Sequence, residues 1–526
     1  MAAIISDQFR ILNASNFVDS ISNTANSYYV FLGLPNPGTS PTTVGFGRSS
    51  TWNTSGQTPE PVDNIDFQNH YHDTMIFGKK VTSLNVRRLI RRIDWVSGTK
   101  YEMYRHDYSI SKPSPITNAT RLYDANYYVI NSQYKVYICI DNGSSGINTL
   151  GNSSQDEPTF TDLEPSKAGE SGDGYLWKYL FTVSPSDIIK FDSTDYIAVP
   201  NDWSTSSDSQ IVSVRQNGDS TLNGNQIKKV YIDNPGSRYS QGSFSLDILG
   251  DGTGAKVSVD VNSSGQITNA IVSSGGQNYT YGMVDLGSIS VNAGQAAKLI
   301  PIIPPSKGHG YDLYKELGAD RILVYARFDD STNDFPVNTQ FAQIGILKNP
   351  TSFGSTAIFT DNQYSSLYSV GLSSITNTSI TPIIGEKITQ TITGVGTAVG
   401  YVASYDSETK VIKYIQDRSL YFNPDAQYLD QTDYKSVSTS ANVLSFQSNY
   451  GISCQTSGFS ATIDTTLNTN TKTVGNKIIS LGVVFTNGLA NPEINKSSGD
   501  IIYIDNRPLI ARNSRQKEDV KIILEF

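Results

Sequence analysis

Cysteine, histidine, methionine and tryptophan are all scarce in this 526-residue chain: two, four, four and four. Cys139 and Cys454 lie far apart and belong to no metal-ligand spacing. A disulfide scaffold is therefore excluded by count, and two buried reduced thiols are expected. Charge is scarce too, at 17% of residues with a formal net charge of −9. Broad nucleic-acid binding needs a basic face, which this composition does not offer. No stretch approaches ~18 consecutive apolar residues, and the opening MAAIISDQFRILNASNF lacks a basic segment followed by an apolar one. Neither a membrane span nor a signal peptide is expected.

Aromatic and turn-forming residues are abundant. There are 31 Tyr and 20 Phe beside 42 Gly and 21 Pro. Tyr, Thr, Val and Ile suit half-buried strands, whereas Asn, Gly, Ser and Pro suit turns. The high aromatic content and low charge per residue argue against disorder. At roughly 100–200 residues per domain, about three to four units are expected. The expected fold is mainly β: a multi-layer β-sandwich core with a few short helices, plus two inserted small β-domains.

Along the chain, Asn13 or Ser15 is a candidate cap for a helix through Phe17, Val18 and Ile21. Residues 28–32 (YYVFL) read as a strand, followed by a loop marked by Pro35, Pro37, Gly38 and Pro41. Residues 127–140 read as two strands about an Asn-Ser turn, and 174–183 (GYLWKYLFTV) as a buried strand. From residue 204 the composition shifts toward Ser, Asn, Gly and Asp, and an internal repeat appears. Ile227, Val230, Ile232, Gly236 and Tyr239 recur 40 residues later as Ile267, Ala270, Val272, Gly276 and Tyr279; Leu246 recurs as Leu286 and Gly254 as Gly294. Two copies cannot close a propeller, so a small duplicated β-domain is expected. Its tyrosines either pack the turns or bind a sugar. Residues 308–318 read as a turn and short helix, 320–328 and 341–348 as core strands. Residues 385–415 read as three short strands with a hairpin turn over 405–410, and 478–486 as a further strand. The last stretch reads as a strand over 501–504, a turn at Pro508, and a final strand from Val520 to Phe526. The domain limits read this way are 1–203, 204–308, 309–354, 355–497 and 498–526, with the second and fourth as insertions into a core.

Candidate chemistry is sparse. His70 and His72 would share one face of a strand, but zinc needs further ligands, for which Asp73, His106 and His309 are the only suggestions. Gly308-His309-Gly310-Tyr311-Asp312 pairs a His with an Asp without any nucleophile motif, and reads as a turn into a capped helix. The acidic, glycine-rich run from Gly169 to Gly174 lacks the Lys-Ser/Thr of a phosphate loop and the spacing of a calcium loop. It reads as a loop entering the strand at Tyr175. Nothing singles out a carboxylate pair for glycoside hydrolysis. The expectation is no enzyme, with no catalytic, metal or cofactor-binding residues. The basic run Arg87, Arg88, Arg91 and Arg92, followed by Trp95, places apolar residues among cations. An acidic chain disfavours nucleic acid there, leaving a protein interface or an internal ion-pair network; Arg and Trp are enriched in contact hot spots. These five residues are the candidate interface.

Several segments, in order, resemble one family. They are Phe46-Gly47-Arg48-Ser49 with Trp52; Arg91-Arg92-Ile93-Asp94-Trp95; Gly172-Asp173-Gly174-Tyr175-Leu176-Trp177-Lys178-Tyr179-Leu180-Phe181; Tyr196-Ile197-Ala198-Val199-Pro200; and Ile502-Tyr503-Ile504-Asp505-Asn506-Arg507-Pro508 through Ile522-Ile523-Leu524-Glu525-Phe526. The family is the dimeric wedge subunit, numbered eight, of the baseplate in T-even-like contractile-tailed myophages. The resemblance covers about residues 1–203, 309–354 and 498–526. The glycine-turn repeats look similar to modules in structural proteins of cyanobacterial myophages, which points to a cyanophage source. The resemblance implies a virion tail-baseplate location and assembly in the host cytoplasm. It also implies a homodimer, contacts to other wedge proteins and to peripheral fibre-connecting subunits, a part in the baseplate's conformational switch, and no catalysis or cofactor. The rivals are a receptor- or carbohydrate-binding tail protein and, more distantly, a tailspike glycosidase.

Overall fold

The computed structural model describes residues 4–35, 45–46, 58–220, 225–289, 295–329, 340–416, 444–513 and 516–526. Gly47, Arg48, Ser49 and Trp52 of the first family-like motif, the loop positions Pro37, Gly38 and Pro41, and Gly294 of the repeat lie outside these residues. The fold is mainly β, with several sheets and few short helices. It comprises two compact units, neither a continuous stretch of sequence. One is Met1–Val18, Arg87–Leu323 and Ile523–Phe526; the other is Asp19–Val86 and Val324–Ile522.

At the centre of the first unit is an antiparallel meander of Tyr128–Ile130, Lys135–Asn142 and Tyr175–Thr182. The turn between the first two strands is the expected Asn-Ser one. The Asn131 carboxamide oxygen accepts the N–H groups of Gln133 and Lys135 at 2.9 and 2.8 Å, and Tyr134 adopts φ +58°. An Asn side chain is suited to this, because it imitates a backbone turn. Tyr175, Trp177, Tyr179 and Phe181 alternate along the third strand and are all buried, as are Lys178 and Leu180 between them. The strand is thus covered on both faces, which explains its near-continuous apolar sequence.

The duplicated segment forms a small β-structure with its own apolar core within this unit. Its first copy supplies strands Val230–Asn234, Gly242–Gly250 and Thr253–Val261; its second supplies Ile267–Gln277, Gly282–Val284 and Lys298–Pro301. The first strand of each copy pairs with the third of the other (Leu299 opposite Ile232, Val259 opposite Ala270), and the two middle strands pair together (Met283 opposite Leu249). The copies are therefore related by an approximate two-fold and share one apolar core. The glycines explain themselves: Gly236 and Gly276 have φ +68° and +61°, and a Cβ would lie 2.7 Å from Ala297 N or 2.6 Å from Ala255 N. Tyr239 and Tyr279 are buried. The Tyr239 hydroxyl accepts from Ala297 N at 2.8 Å and the Tyr279 hydroxyl from Ala255 N at 3.3 Å, so each copy's tyrosine bonds the backbone of the other. They pack the turns, the first of the two alternatives. The domain is docked on its surroundings: Tyr231 and Ile302 join the unit's main core, Lys229 pairs with Asp141 at 2.6 Å, and Gly146 N donates to Thr268 O.

The second unit holds two sheets of note. In one, Tyr28–Gly33 lies between Met75–Val81 and Gln340–Lys348, with Gln363–Ser365 and Asp500–Ala511 at the edges. Every residue of Tyr28–Gly33 is buried, as its unbroken apolar sequence requires. In the other, Tyr368–Ile375, Lys387–Ile392, Gly396–Asp406, Val411–Ile415, Ile452–Cys454 and Ser460–Ile463 close into a barrel through the pairing of Tyr368 with Tyr414; Leu489–Ala490 adds to Tyr368–Ile375. The expected three strands in 385–415 are here, with the hairpin turn after Asp406. Buried Glu386 braces the barrel, accepting the N–H groups of Ile383, Thr456 and Ser457 at 2.6–3.0 Å.

Several expectations are corrected. The N-terminal helix is Asp7–Ser22, so Asn13 and Ser15 are interior; Ser6 Oγ instead accepts Phe9 N. His70 and His72 sit in helix Ile65–Thr74, where residues two apart do not share a face. Helix Ser209–Asp219, capped by Asp208, was hidden in a Ser/Asn-rich stretch. Of 478–486 only Lys477–Ser480 is strand, paired in a hairpin with Thr471–Val474. Pro508 does not end its strand: it lies in a register irregularity between Asn506 and Ile510 on the edge strand Asp500–Ala511, a place where a missing N–H is tolerated.

Buried phenols tie loops to strands throughout. Tyr127, fully buried, donates to Glu316 O at 2.6 Å. Tyr127→Phe leaves that carbonyl without its donor, and a loss of about 1–2 kcal/mol is expected, read as a lower urea midpoint with unchanged slope.

Candidate functional site

The basic run lies mostly on strand Val86–Arg91, which pairs antiparallel with Tyr196–Val199 so that Arg88 faces Val199 and Arg91 faces Tyr196. Two of the family-like motifs are thereby neighbours in one sheet. Leu89 and Ile90 are buried, and the arginines between and beside them turn to partners on the chain itself. Arg87 makes a bidentate pair with Asp187 (3.1 and 3.0 Å), and its guanidinium lies 5.0 Å from the Phe191 ring. Both partners belong to helix Pro185–Phe191. Arg88, buried, donates to the backbone and side-chain oxygens of Asn201 and stacks 4.3 Å from the Tyr314 ring. Arg91 donates to Ala125 O at 3.2 Å and Asn126 Oδ1 at 2.8 Å. Arg92 bridges Asp94 (3.0 Å) and Asp192 (2.5 Å), and its hydrogen bond to the Asp94 carboxylate raises its pKa further. Trp95 donates from Nε1 to Ser154 Oγ at 3.0 Å and is half-buried. Arg87 and Arg92 thus form ion pairs within the chain, whereas Arg88 and Arg91 donate to neutral oxygens. The exposed side chains of this stretch are Asp94 and Val96.

Charged hydrogen bonds of this kind act as clamps: each guanidinium has a planar fork of donors that fixes two elements at once. Four such forks gather helix Pro185–Phe191, the 192–201 segment and the 125–126 loop around one strand. The arrangement can set geometry. It presents no nucleophile paired with a base.

The remaining candidates are also accounted for by local structure. His309 Nδ1 is 2.6 Å from Glu316 Oε1, and Gly310 N donates to Glu316 Oε2; both side chains are buried, with the Tyr104 ring edge-on to the imidazole. The partner of His309 is therefore Glu316 and not Asp312, which caps the short helix Leu313–Leu317. The Gly169–Gly174 run is a loop that leads into the strand at Tyr175, where Asp173 Oδ1 accepts Tyr175 N. Among the described residues, no three or more His, Cys, Asp or Glu side chains are grouped to hold a metal ion. Cys139 and Cys454 are buried free thiols, and burial raises the pKa of both. No helix among the described residues is long and apolar enough to cross a membrane.

One group escaped the sequence reading. Lys178, in the otherwise apolar YLWKYLF run, is buried. Its ammonium donates to Leu163 O and to Asn217 Oδ1 (2.6 Å); Asn217 in turn donates to Glu164 Oε1, and Lys228 pairs with Glu164 at 2.8 Å. The chain of bonds ties the central strand to helix Ser209–Asp219 and to the start of the duplicated domain. A lone lysine in an apolar strand was the available signal.

No protein-family model matches the chain. Part of it is similar to the baseplate wedge protein gp8 of Enterobacteria phage T4: 25% identical over 228 residues, 38% of this chain. The match spans 60% of the length of that relative.

Burial pushes the Lys178 pKa down to about 8. Between that value and the ordinary lysine value the unfolded chain binds the extra proton, so folding stability rises with pH there. The wild type is expected to gain on the order of 3 kcal/mol relative to Lys178→Met between about pH 8 and pH 10.5, measured as the difference in urea midpoints at each pH.

Proposed function

We propose that this chain is a structural, non-enzymatic subunit of the baseplate wedge of a contractile phage tail. The observation that carries the reading is its part-length similarity to the T4 baseplate wedge protein gp8. The physical character of the first unit supports it. A part that bears load between neighbours needs elements locked in place, and the arginine clamps, the stacked Tyr175–Trp177 pair at 5.3 Å and the buried Lys178 network supply this. In the proposed role the chain forms a homodimer. It joins other wedge proteins to peripheral fibre-connecting subunits and takes part in the switch between two baseplate states. Arg87, Arg88, Arg91, Arg92 and Trp95 serve assembly by holding the shape of the surface around Asp94 and Val96.

The purified chain is expected to sediment as a dimer and to be located in the baseplate of intact tails by cryo-microscopy. A stable trimer, or a position at a fibre tip, would overturn the wedge reading. Replacing Arg91 and Arg92 by Ala is expected to reduce binding to a purified wedge neighbour at least about ten-fold, a loss of ~1.4 kcal/mol. Unchanged binding would remove these residues from the assembly role.

A further inference from the structure

The limb by which the duplicated β-domain returns to the surrounding core is held by a histidine acceptor. Ile303 packs in the apolar core of that domain, and Ile302, just before it, packs in the unit's main core. The backbone N–H of Ile303 donates to Nδ1 of His106 at 3.2 Å. His106 follows directly on Tyr104 of the main core and on buried Arg105, and is itself exposed. An imidazole nitrogen accepts a hydrogen bond only while its lone pair is free. The contact therefore requires the neutral ring with its proton on Nε2. A proton arriving from solvent binds at Nδ1, on that same lone pair, and turns the acceptor into a donor facing a donor.

We propose that the His106–Ile303 contact is a proton-operated latch: acidification releases the exit segment from Ile303 to Gly308, while strand Lys298–Pro301 stays paired with Val230–Asn234, Ile302 N stays bonded to Lys229 O, and the domain stays docked.

The surrounding charges bear on where it operates. Arg105 makes a bidentate pair with Asp107 at 2.9 Å, and Lys112 lies 3.4 Å from the same carboxylate, so two cations share one anion beside the ring. Tyr108 and Tyr231 flank the Arg105 guanidinium at 5.2 and 4.0 Å, and burial keeps both phenols protonated. On the exit limb, Lys298 is paired with Asp233 and Lys307 with the Tyr311 ring. Crowding by protein on one side of the ring, with Arg105 and Lys112, lowers the His106 pKa against the opposing pull of Asp107. The folded state thus favours the neutral ring. Its stabilisation is complete above the ordinary imidazole value of ~6.5 and is lost as pH falls through the lower folded value. Among the described residues, the other polar contacts that dock the domain include Lys228 with Glu164, Lys229 with Asp141, Gly146 N to Thr268 O, and the Tyr231 hydroxyl to Thr149 O, and these hold no imidazole.

The test is hydrogen exchange by mass spectrometry on the full chain. It is run from about pH 7.5 to about pH 4.5 and corrected for intrinsic exchange, on the wild type, His106→Gln and His106→Ala. Gln keeps an acceptor oxygen that does not titrate, whereas Ala has none. In the wild type, protection of the Ile303 amide, read on peptides across 298–308, is expected to fall about five-fold on acidification, the worth of one hydrogen bond. His106→Gln should keep its protection throughout, and His106→Ala should show the lowered protection at every pH. The same pH course in wild type and His106→Gln would overturn the latch. So would a parallel loss of protection over 267–277, which would mean that the whole domain loosens.

Discussion

A buried phenol is useful only if its hydroxyl finds a partner, and this requirement organises the first unit. Burying a tyrosine ring contributes a large apolar surface, but an unpaired hydroxyl would forfeit about 1–3 kcal/mol. Here the partners are backbone carbonyls, three of them in loops and one, Arg91 O, at the end of a strand. Tyr128 donates to Arg91 O, Tyr137 to Phe160 O, Tyr175 to Asn152 O and Tyr314 to Pro200 O, all at 2.6–2.8 Å. Each ring packs in or against the core while its oxygen reaches a backbone carbonyl of another segment. The long polar excursion over residues 141–172 is ordered in this way, through Tyr137 and Tyr175. An abundance of tyrosine, combined with few charges, is thus a means of fixing loops onto sheets.

The cations follow the same logic. An arginine or lysine near a core must be paired, since burying an unpaired charge costs several kcal/mol. The partners sit on different elements, so satisfying the charge also positions the elements. Arg88 illustrates the economy of this: one guanidinium engages Asn201 and the ring of Tyr314, and Tyr314 in turn bonds Pro200. The junctions of the duplicated domain fall among these residues. Trp203, at its entrance, donates from Nε1 to Gly310 O and Tyr311 O, just past its exit. The two ends of the duplicated segment are therefore stitched together, close to the exit segment held by His106.

Much of the strand content was legible from residues because its cause is local. YYVFL, GYLWKYLF and the three strands of 385–415 have the composition of covered strands, and the 40-residue repeat could be read directly from Gly and Tyr spacing. The misread elements lacked a local signal or had a misleading one. Helix Ser209–Asp219 is built from Ser, Gln and Asn around only a few apolar residues, so its periodicity is faint. His70-Tyr71-His72 suggested a strand face, yet Asn64 caps a helix there by accepting Phe67 N. Pro508 is a turn former by type, and only the edge position of its strand makes it acceptable.

The charged run shows the boundary most clearly. Composition alone decides that four arginines among Leu, Ile and Trp must either meet another molecule or be neutralised within the chain, and that acidity of the whole makes nucleic acid a poor partner. It also decides that the protein is built of strands, because side-chain shape and alternation act over a few residues. Which group each guanidinium meets is another matter. Asp187 and Asp192 lie about a hundred residues beyond Arg87 and Arg92, brought close by the pairing of Val86–Arg91 with Tyr196–Val199. The repeat has the same two layers: its period is written in the residues, but the exchange of strands and tyrosine contacts between its copies arises only from long-range pairing, which no short window of sequence contains.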